Sequence, residues 1–169
     1  MSAANALTLL RAVAVVPIVW AIATDQRVIA LGLFVLAAAS DAVDGLLARR
    51  FGNVSARGAL LDPLADKILV IGTLSGLTAV GIGWPVAVVT TLTALRESIV
   101  ALIRIRAFAR GVALPADRLA KFKTATQMIG VALIIVGERP WPVAGATLVG
   151  LAFLLSLASL PRYFATRHT

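Results

Sequence analysis

The chain has 169 residues, of which 60% are hydrophobic, with a mean hydropathy of +0.95 and a net charge of +8. This composition excludes an ordinary soluble domain, and the length is sufficient for about six apolar spans of roughly 20 residues. There is no cysteine, and the single histidine, His168, is near the C-terminus, so any metal ion must be bound by oxygen. The basic residues lie between apolar runs, which favours anionic lipids or phosphorylated substrates over nucleic acid.

Six apolar runs predict an all-α integral membrane protein, with one domain over residues 1–169, because a backbone in lipid must satisfy its own hydrogen bonds. The first run contains Arg11 and has no basic segment before it, so we expect a retained helix rather than a cleaved signal. Short segments with turn-forming residues separate the runs. In chain order the predicted transmembrane helices are 6–24, 28–50, 58–82, 85–106, 119–137 and 141–161.

The distribution of Lys and Arg predicts cytosolic N- and C-termini. In this orientation fourteen of the sixteen basic residues lie in or near inner loops, inner helix ends and inner termini, and only Arg27 and Arg139 fall outside. We therefore predict a multi-pass protein of the inner (cytoplasmic) membrane.

Four of the eight acidic residues fall within the second and third predicted helices, at Asp41, Asp44, Asp62 and Asp66. A carboxylate at the centre of a bilayer costs about 3 kcal/mol unless it is compensated. From the inner helix ends, Asp41 and Asp66 lie roughly 12–13 Å deep, and Asp44 and Asp62 roughly 6–9 Å deep. Because residues three or four apart share a helical face, the two pairs can face each other between neighbouring antiparallel helices. The pattern predicts a four-carboxylate cage open to the cytosol, which suits two Mg²⁺ or Mn²⁺ ions.

Two-metal carboxylate sites serve phosphoryl chemistry, and the residues around the cage fit that use. Gly45 allows a phosphate to approach the helix backbone, and Arg49 can hold a phosphate oxygen. Two other interpretations stay open. The aspartates can form structural salt bridges with Lys67, Arg49 or Arg96, or they can line the path of a divalent cation transporter.

The spacing of these residues resembles the signature of the CDP-alcohol phosphotransferase family. Every fixed position is matched, by Asp41, Asp44, Gly45, Ala48, Arg49, Gly58, Asp62 and Asp66. The resemblance implies a six-helix membrane enzyme, usually a homodimer, in which the four aspartates hold two metal ions and Asp66 also acts as the base. It implies further that Gly45, Ala48, Arg49 and Gly58 surround a CDP-linked donor, and that attack by an acceptor hydroxyl releases CMP.

A polar strip at the start of the first helix, formed by Asn5, Thr8 and Arg11, is similar to an N-x-x-T-x-x-R element common in that family. We interpret the strip as a wall of the donor pocket. The alternative is a helix N-cap at Asn5 with an interfacial Arg11 that extends toward water.

Basic residues of the fourth and fifth helices are the candidates for binding the acceptor, namely Arg96, Arg104, Lys121 and Lys123. Arg96 and Glu97 can alternatively be a structural ion pair. The segments R-E-S-I-V-A-L-I-R and L-A-K-F-K-T resemble family members that join CDP-diacylglycerol to glycerol 3-phosphate. Ala120 departs from the glycine expected there. Phosphatidylglycerol and inositol phosphate remain alternative acceptors.

Overall fold

The computed structural model describes the backbone of residues 3–51, 56–109 and 118–158, and within them the side chains of residues 11–40, 67–103, 105–107, 109 and 122–157. These segments form helices and contain no strand. The helices are α1 (Ala3–Ala23), α2 (Arg27–Phe51), α3 (Ala56–Ala79), α4 (Trp84–Ala109), α5 (Arg118–Val136) and α6 (Trp141–Ala158). The prediction of six helices is confirmed, and each described end lies within about one helical turn of its predicted position.

Two helix ends show why the chain turns where it does. After α1, Asp25 has a φ of 58°, and the N–H of Gln26 donates to the carbonyl of Ala21 at 2.8 Å. After α3, Gly81 has a φ of 76°, and the N–H of Ile82 donates to the carbonyl of Leu77. A left-handed residue followed by such a bond closes a helix and satisfies its last carbonyls, so both ends are local features of the sequence.

The helices pack in a ring whose order differs from their order along the chain. Extensive contacts join α1 to α2 and α3, α3 to α4, α4 to α6, α6 to α5, and α5 to α2, while α3 also touches α5. In the part of the chain that the structure describes, α2 and α3 are therefore connected mainly through α1. This order brings α3, α4 and α5 together, although α3 and α5 are far apart in the sequence.

Apolar side chains fill the centre of the ring and also cover its outside. Phe34 and Leu74 are buried in the core, whereas Val16, Leu36 and Leu154 are more than half exposed. Three charged side chains within the helices, Arg11, Arg96 and Glu97, are buried, whereas charged residues at the turns, such as Asp25 and Glu138, are exposed. Among the described residues, Trp84–Ala107 in α4 has both the length and the hydropathy expected of a membrane span, and the other apolar stretches are shorter.

The helices α5 and α6 approach closely at a pair of glycines, which we call the glycine contact (Gly130 and Gly145). A Cβ atom placed on Gly145 would lie 2.7 Å from Cγ1 of Ile134 and 2.9 Å from its backbone nitrogen. One placed on Gly130 would lie 2.8 Å from the carbonyl oxygen of Gly145. Only glycine allows this separation of the two backbones, because any side chain would occupy the space between them.

Candidate active site

A buried carboxylate surrounded by three cations joins α3, α4 and α5. Oε1 of Glu97 accepts hydrogen bonds from Nη1 of Arg96 at 2.6 Å and from Nζ of Lys123 at 2.7 Å. Oε2 of Glu97 lies 2.9 Å from Nζ of Lys67. All four side chains are at most 17% exposed. We call this group the charged junction (Lys67, Arg96, Glu97 and Lys123).

Lys67 connects the charged junction to the aspartate signature, because it directly follows Asp66 on α3. Its ammonium group contacts the carboxylate of Glu97 and also donates to the Glu97 main-chain carbonyl at 3.3 Å. The helical turn that carries Asp66 is thereby anchored to α4. Lys67 was not predicted as a site residue, although its position immediately after Asp66 and its charge within an apolar helix are sequence signals that could have identified it.

Two predicted acceptor residues, Arg96 and Lys123, meet in the charged junction. Arg96 uses Nη1 for Glu97 and Nη2 for the main-chain carbonyl of Ser156 on α6, at 3.1 Å. The predicted Arg96–Glu97 ion pair is therefore present, and a structural contribution of Arg96 follows from it. Lys123 donates one bond to Glu97, and an ammonium group carries three N–H donors. The side chains of Arg104 and Lys121 lie outside the described residues.

Arg11, predicted to face the donor pocket, is 2% exposed and borders a cavity of about 210 Å³ between α1 and α2. The walls are mostly apolar and include Leu36 and Ala37, and Ser40 also lines the cavity. Since Ser40 directly precedes Asp41, the cavity reaches the beginning of the aspartate signature. The burial of Arg11 supports a pocket wall and argues against a side chain extended toward water. The side chains of Asn5 and Thr8 lie outside the described residues.

The signature residues lie on helical backbone, but their side chains are outside the described residues, so the predicted cage stays a prediction. These positions are Asp41, Asp44, Gly45, Ala48 and Arg49 in α2, and Gly58, Asp62 and Asp66 in α3. Among the described side chains there is no group of three or more potential metal ligands from His, Cys, Asp and Glu. The aspartates remain the candidate ligands, because four carboxylates are the hard oxygen donors that Mg²⁺ and Mn²⁺ prefer.

A larger cavity, of about 420 Å³, lies at the opposite end of the bundle, next to the α1–α2 and α5–α6 turns. Arg27 and Glu138 line it, and Arg27 forms an ion pair of 2.8 Å with Asp25. Gly137, with a φ of 82°, leaves room for the Arg27 guanidinium group. This cavity is remote in the fold from the aspartate signature and the charged junction, so it is not the candidate active site.

Comparison with known proteins agrees with the signature. The model of the CDP-alcohol phosphatidyltransferase family matches residues 1–158. The chain belongs to this family, whose members transfer substituted phosphate groups, and it is thus a transferase by class. The match includes the signature helices α2 and α3 as well as the charged junction.

Three individual members of the family are similar to this chain over much of its length. A probable phosphatidylglycerophosphate synthase of Mycobacterium tuberculosis (strain H37Rv) is 36% identical over 170 residues, covering 96% of this chain and 79% of that protein. A CDP-diacylglycerol–glycerol-3-phosphate 3-phosphatidyltransferase of Escherichia coli (strain K12) is 31% identical over 136 residues, covering 79% of this chain and 75% of that protein. An enzyme of the same description from Cereibacter sphaeroides is 39% identical over 109 residues, covering 64% of this chain and 49% of that protein.

Proposed function

We propose that this protein transfers the phosphatidyl group of CDP-diacylglycerol to sn-glycerol 3-phosphate, giving phosphatidylglycerophosphate and CMP. Family membership supports the reaction type, and the names of the relatives support this donor and this acceptor. The structural observation that carries the proposal is the contact of Lys67 with Glu97, which places a cluster of cations beside the turn that contains Asp66. A phosphorylated acceptor bound there has its hydroxyl groups near the aspartate signature.

In the proposed reaction the acceptor hydroxyl oxygen attacks the phosphorus of the phosphatidyl group. Asp66 accepts the hydroxyl proton, and the bond between that phosphorus and the bridging oxygen of CMP breaks. Two Mg²⁺ or Mn²⁺ ions would neutralise the charge of the diphosphate. The residues that would hold them are Asp41, Asp44, Asp62 and Asp66.

The donor occupies the region between α1 and α2 in this proposal. Gly45, Ala48, Arg49 and Gly58 border the cytidine and diphosphate, and Asn5, Thr8 and Arg11 form the facing wall. The cavity beside Arg11 supports this location, because its apolar lining continues to Ser40 at the edge of the signature. An amphiphilic donor requires such a junction of apolar and charged surface.

The acceptor phosphate binds to Lys123, Lys121, Arg104 and Arg96 in this proposal. Lys123 is the strongest of these candidates, because its ammonium group is fixed by Glu97 and has further donors. Arg96 contributes mainly through the bonds that hold α4 to α6.

We infer that all six helices cross the inner membrane, with both termini and the active site on the cytosolic side. The helices have 18 to 26 residues, hence lengths of roughly 27–39 Å, against a hydrocarbon thickness of about 30 Å. Their exposed apolar side chains and buried charges suit a lipid environment. The family resemblance leads us to propose a homodimer.

A CMP-release assay with three acceptors tests the proposal. Purified protein receives CDP-diacylglycerol and Mg²⁺, with glycerol 3-phosphate, inositol phosphate or phosphatidylglycerol in parallel. We expect release with glycerol 3-phosphate to exceed the other two. Greater release with phosphatidylglycerol or inositol phosphate would show that the proposed acceptor is wrong. Metal flux in liposomes without CMP release would show that the protein is a transporter and not this enzyme.

A further inference from the structure

Glu97 connects more helices than an ordinary ion pair does. Its carboxylate touches Lys67 on α3 and Lys123 on α5, and both atoms of contact are ammonium nitrogens within 3 Å. Arg96, its neighbour on α4, continues the network to the Ser156 carbonyl on α6. One side chain therefore fixes the positions of two lysines that come from two other helices, α3 and α5.

Stability alone is a poor explanation for this arrangement. A buried ion cluster costs desolvation energy, and well-packed apolar residues often replace one without loss of stability. Here a single carboxylate faces three cations, so these four side chains carry a net charge of +2. Such a cluster is useful where a phosphate has to be attracted, provided that its cations are held in place.

Resting on the proposed function, we propose that Glu97 is a positioning residue for acceptor binding. Its carboxylate holds the Lys123 ammonium group toward the acceptor phosphate and, through Lys67, fixes the distance from that phosphate to the turn that carries Asp66. Glu97 touches neither substrate. It acts through the two lysines, which connect the phosphate end of the acceptor with the end that reacts.

The length of the Glu97 side chain is part of the proposal. Glu97→Asp keeps the negative charge but withdraws the carboxylate by about 1.5 Å, the length of one carbon–carbon bond. Glu97 contacts Lys123 on α5 at 2.7 Å and Lys67 on α3 at 2.9 Å. Because the two lysines come from different helices, the shortened carboxylate cannot keep both contacts. Glu97→Gln keeps the shape and removes the charge.

Steady-state kinetics of the purified full-length protein test the proposal. We expect Glu97→Gln to raise the KM for glycerol 3-phosphate about tenfold, which corresponds to one lost charge-assisted hydrogen bond, and to leave the KM for CDP-diacylglycerol within about twofold. Glu97→Asp should fall between Glu97→Gln and the unmodified protein. A merely structural role would lower the fraction of active enzyme and hence kcat, with both KM values unchanged, and that result would overturn the proposal.

A double variant tests whether Glu97 acts through Lys123. In a Lys123→Gln background, Glu97→Gln should raise the acceptor KM by clearly less than it does alone, since only its contact with Lys67 is left to lose; fully independent, multiplicative effects would contradict the proposal. Thr90→Val is the uncharged control. It removes a contact between α3 and α4, the helices that carry Lys67 and Glu97, and should leave both KM values unchanged.

The outcomes separate this inference from the proposed function. If the unmodified protein does not use glycerol 3-phosphate, the proposed function fails. If it does, and the Glu97 variants show no selective rise in acceptor KM, only the positioning role fails. Should Glu97→Gln not yield folded protein, Glu97→Asp decides the question by the same criterion.

Discussion

The charged junction and the glycine contact hold helices together by opposite means. At the glycine contact, α5 and α6 meet through backbone atoms, and the missing side chains determine how close they come. At the charged junction, α3, α4 and α5 meet through long side chains whose charges must be matched. The first arrangement tolerates no added volume but needs no particular chemistry. The second depends on charge and reach, and it lies next to the residues that we expect to react.

This difference predicts that stability and activity can be damaged separately. Changes at the glycine contact should lower stability and leave the kinetic constants of the folded protein intact. Changes at the charged junction and the adjoining signature should alter the kinetic constants in protein that remains folded.

The largest effect on activity is expected at Asp66, which directly precedes Lys67. Asp66→Asn removes the proposed base and one proposed metal ligand while preserving size, so CMP release should fall by at least about 10²- to 10⁴-fold. The measurement is CMP release by protein whose elution profile and thermal unfolding match those of the unmodified chain. Near-normal release would refute the assigned role.

The next largest effect is expected on stability, at the glycine contact. Gly145→Ala places a methyl group against Ile134 and the Gly130 carbonyl, so the free energy of unfolding should fall by about 1–3 kcal/mol. Thermal unfolding in detergent measures the change. Gly32→Ala is the matched control, because a Cβ there meets no atom within 4 Å. Equal stability of the two variants would show that the close approach is unimportant.

A smaller and more selective effect is expected at Lys123. Lys123→Ala should raise the KM for glycerol 3-phosphate about tenfold, the value of one charged hydrogen bond, and change the KM for CDP-diacylglycerol less. Lys121→Ala should act in the same direction. Initial rates with each substrate varied in turn provide the test, and equal changes in both KM values would count against an acceptor site at these lysines.

The smallest effect is expected at a neutral contact between α3 and α4. The hydroxyl groups of Thr78 and Thr90 are 3.1 Å apart. Thr90→Val removes this contact, and such interhelical hydrogen bonds average about 0.6 kcal/mol in membrane proteins. Thermal unfolding should therefore change slightly. A decrease of several kcal/mol in the free energy of unfolding would mean that this neutral contact stabilises α3 and α4 as strongly as the glycine contact stabilises α5 and α6.

Local features of the sequence determine what could be predicted of the fold. Apolar runs and breakers such as Gly83 and Pro140 give the helices and their approximate ends, because those signals act within a few residues. The predicted third and fifth helices nevertheless included Gly81 and Gly137, where a positive φ ends them. The order of the ring is not local. Hydropathy predicts which segments are helical but does not select their neighbours, so the connection of α2 to α3 through α1 was not predictable.

The same distinction applies to the candidate site. Spacing along two helices is sufficient to identify the aspartate signature, and the family comparison agrees with it. The partners of Lys67 and Arg96 depend instead on helix rotation and on contacts 30 to 60 residues away. The ion pair between the adjacent residues Arg96 and Glu97 was predicted and is present. The contact of Lys67 with Glu97 was not predicted, since pairing with the aspartates was the prediction for Lys67.

The most direct test of the account is the lipid product made by the purified protein. With CDP-diacylglycerol, Mg²⁺ and glycerol 3-phosphate, mass spectrometry should find phosphatidylglycerophosphate in the same molar amount as the CMP released. CMP released without that lipid, or in equal amount when glycerol 3-phosphate is omitted, would contradict the proposed transfer.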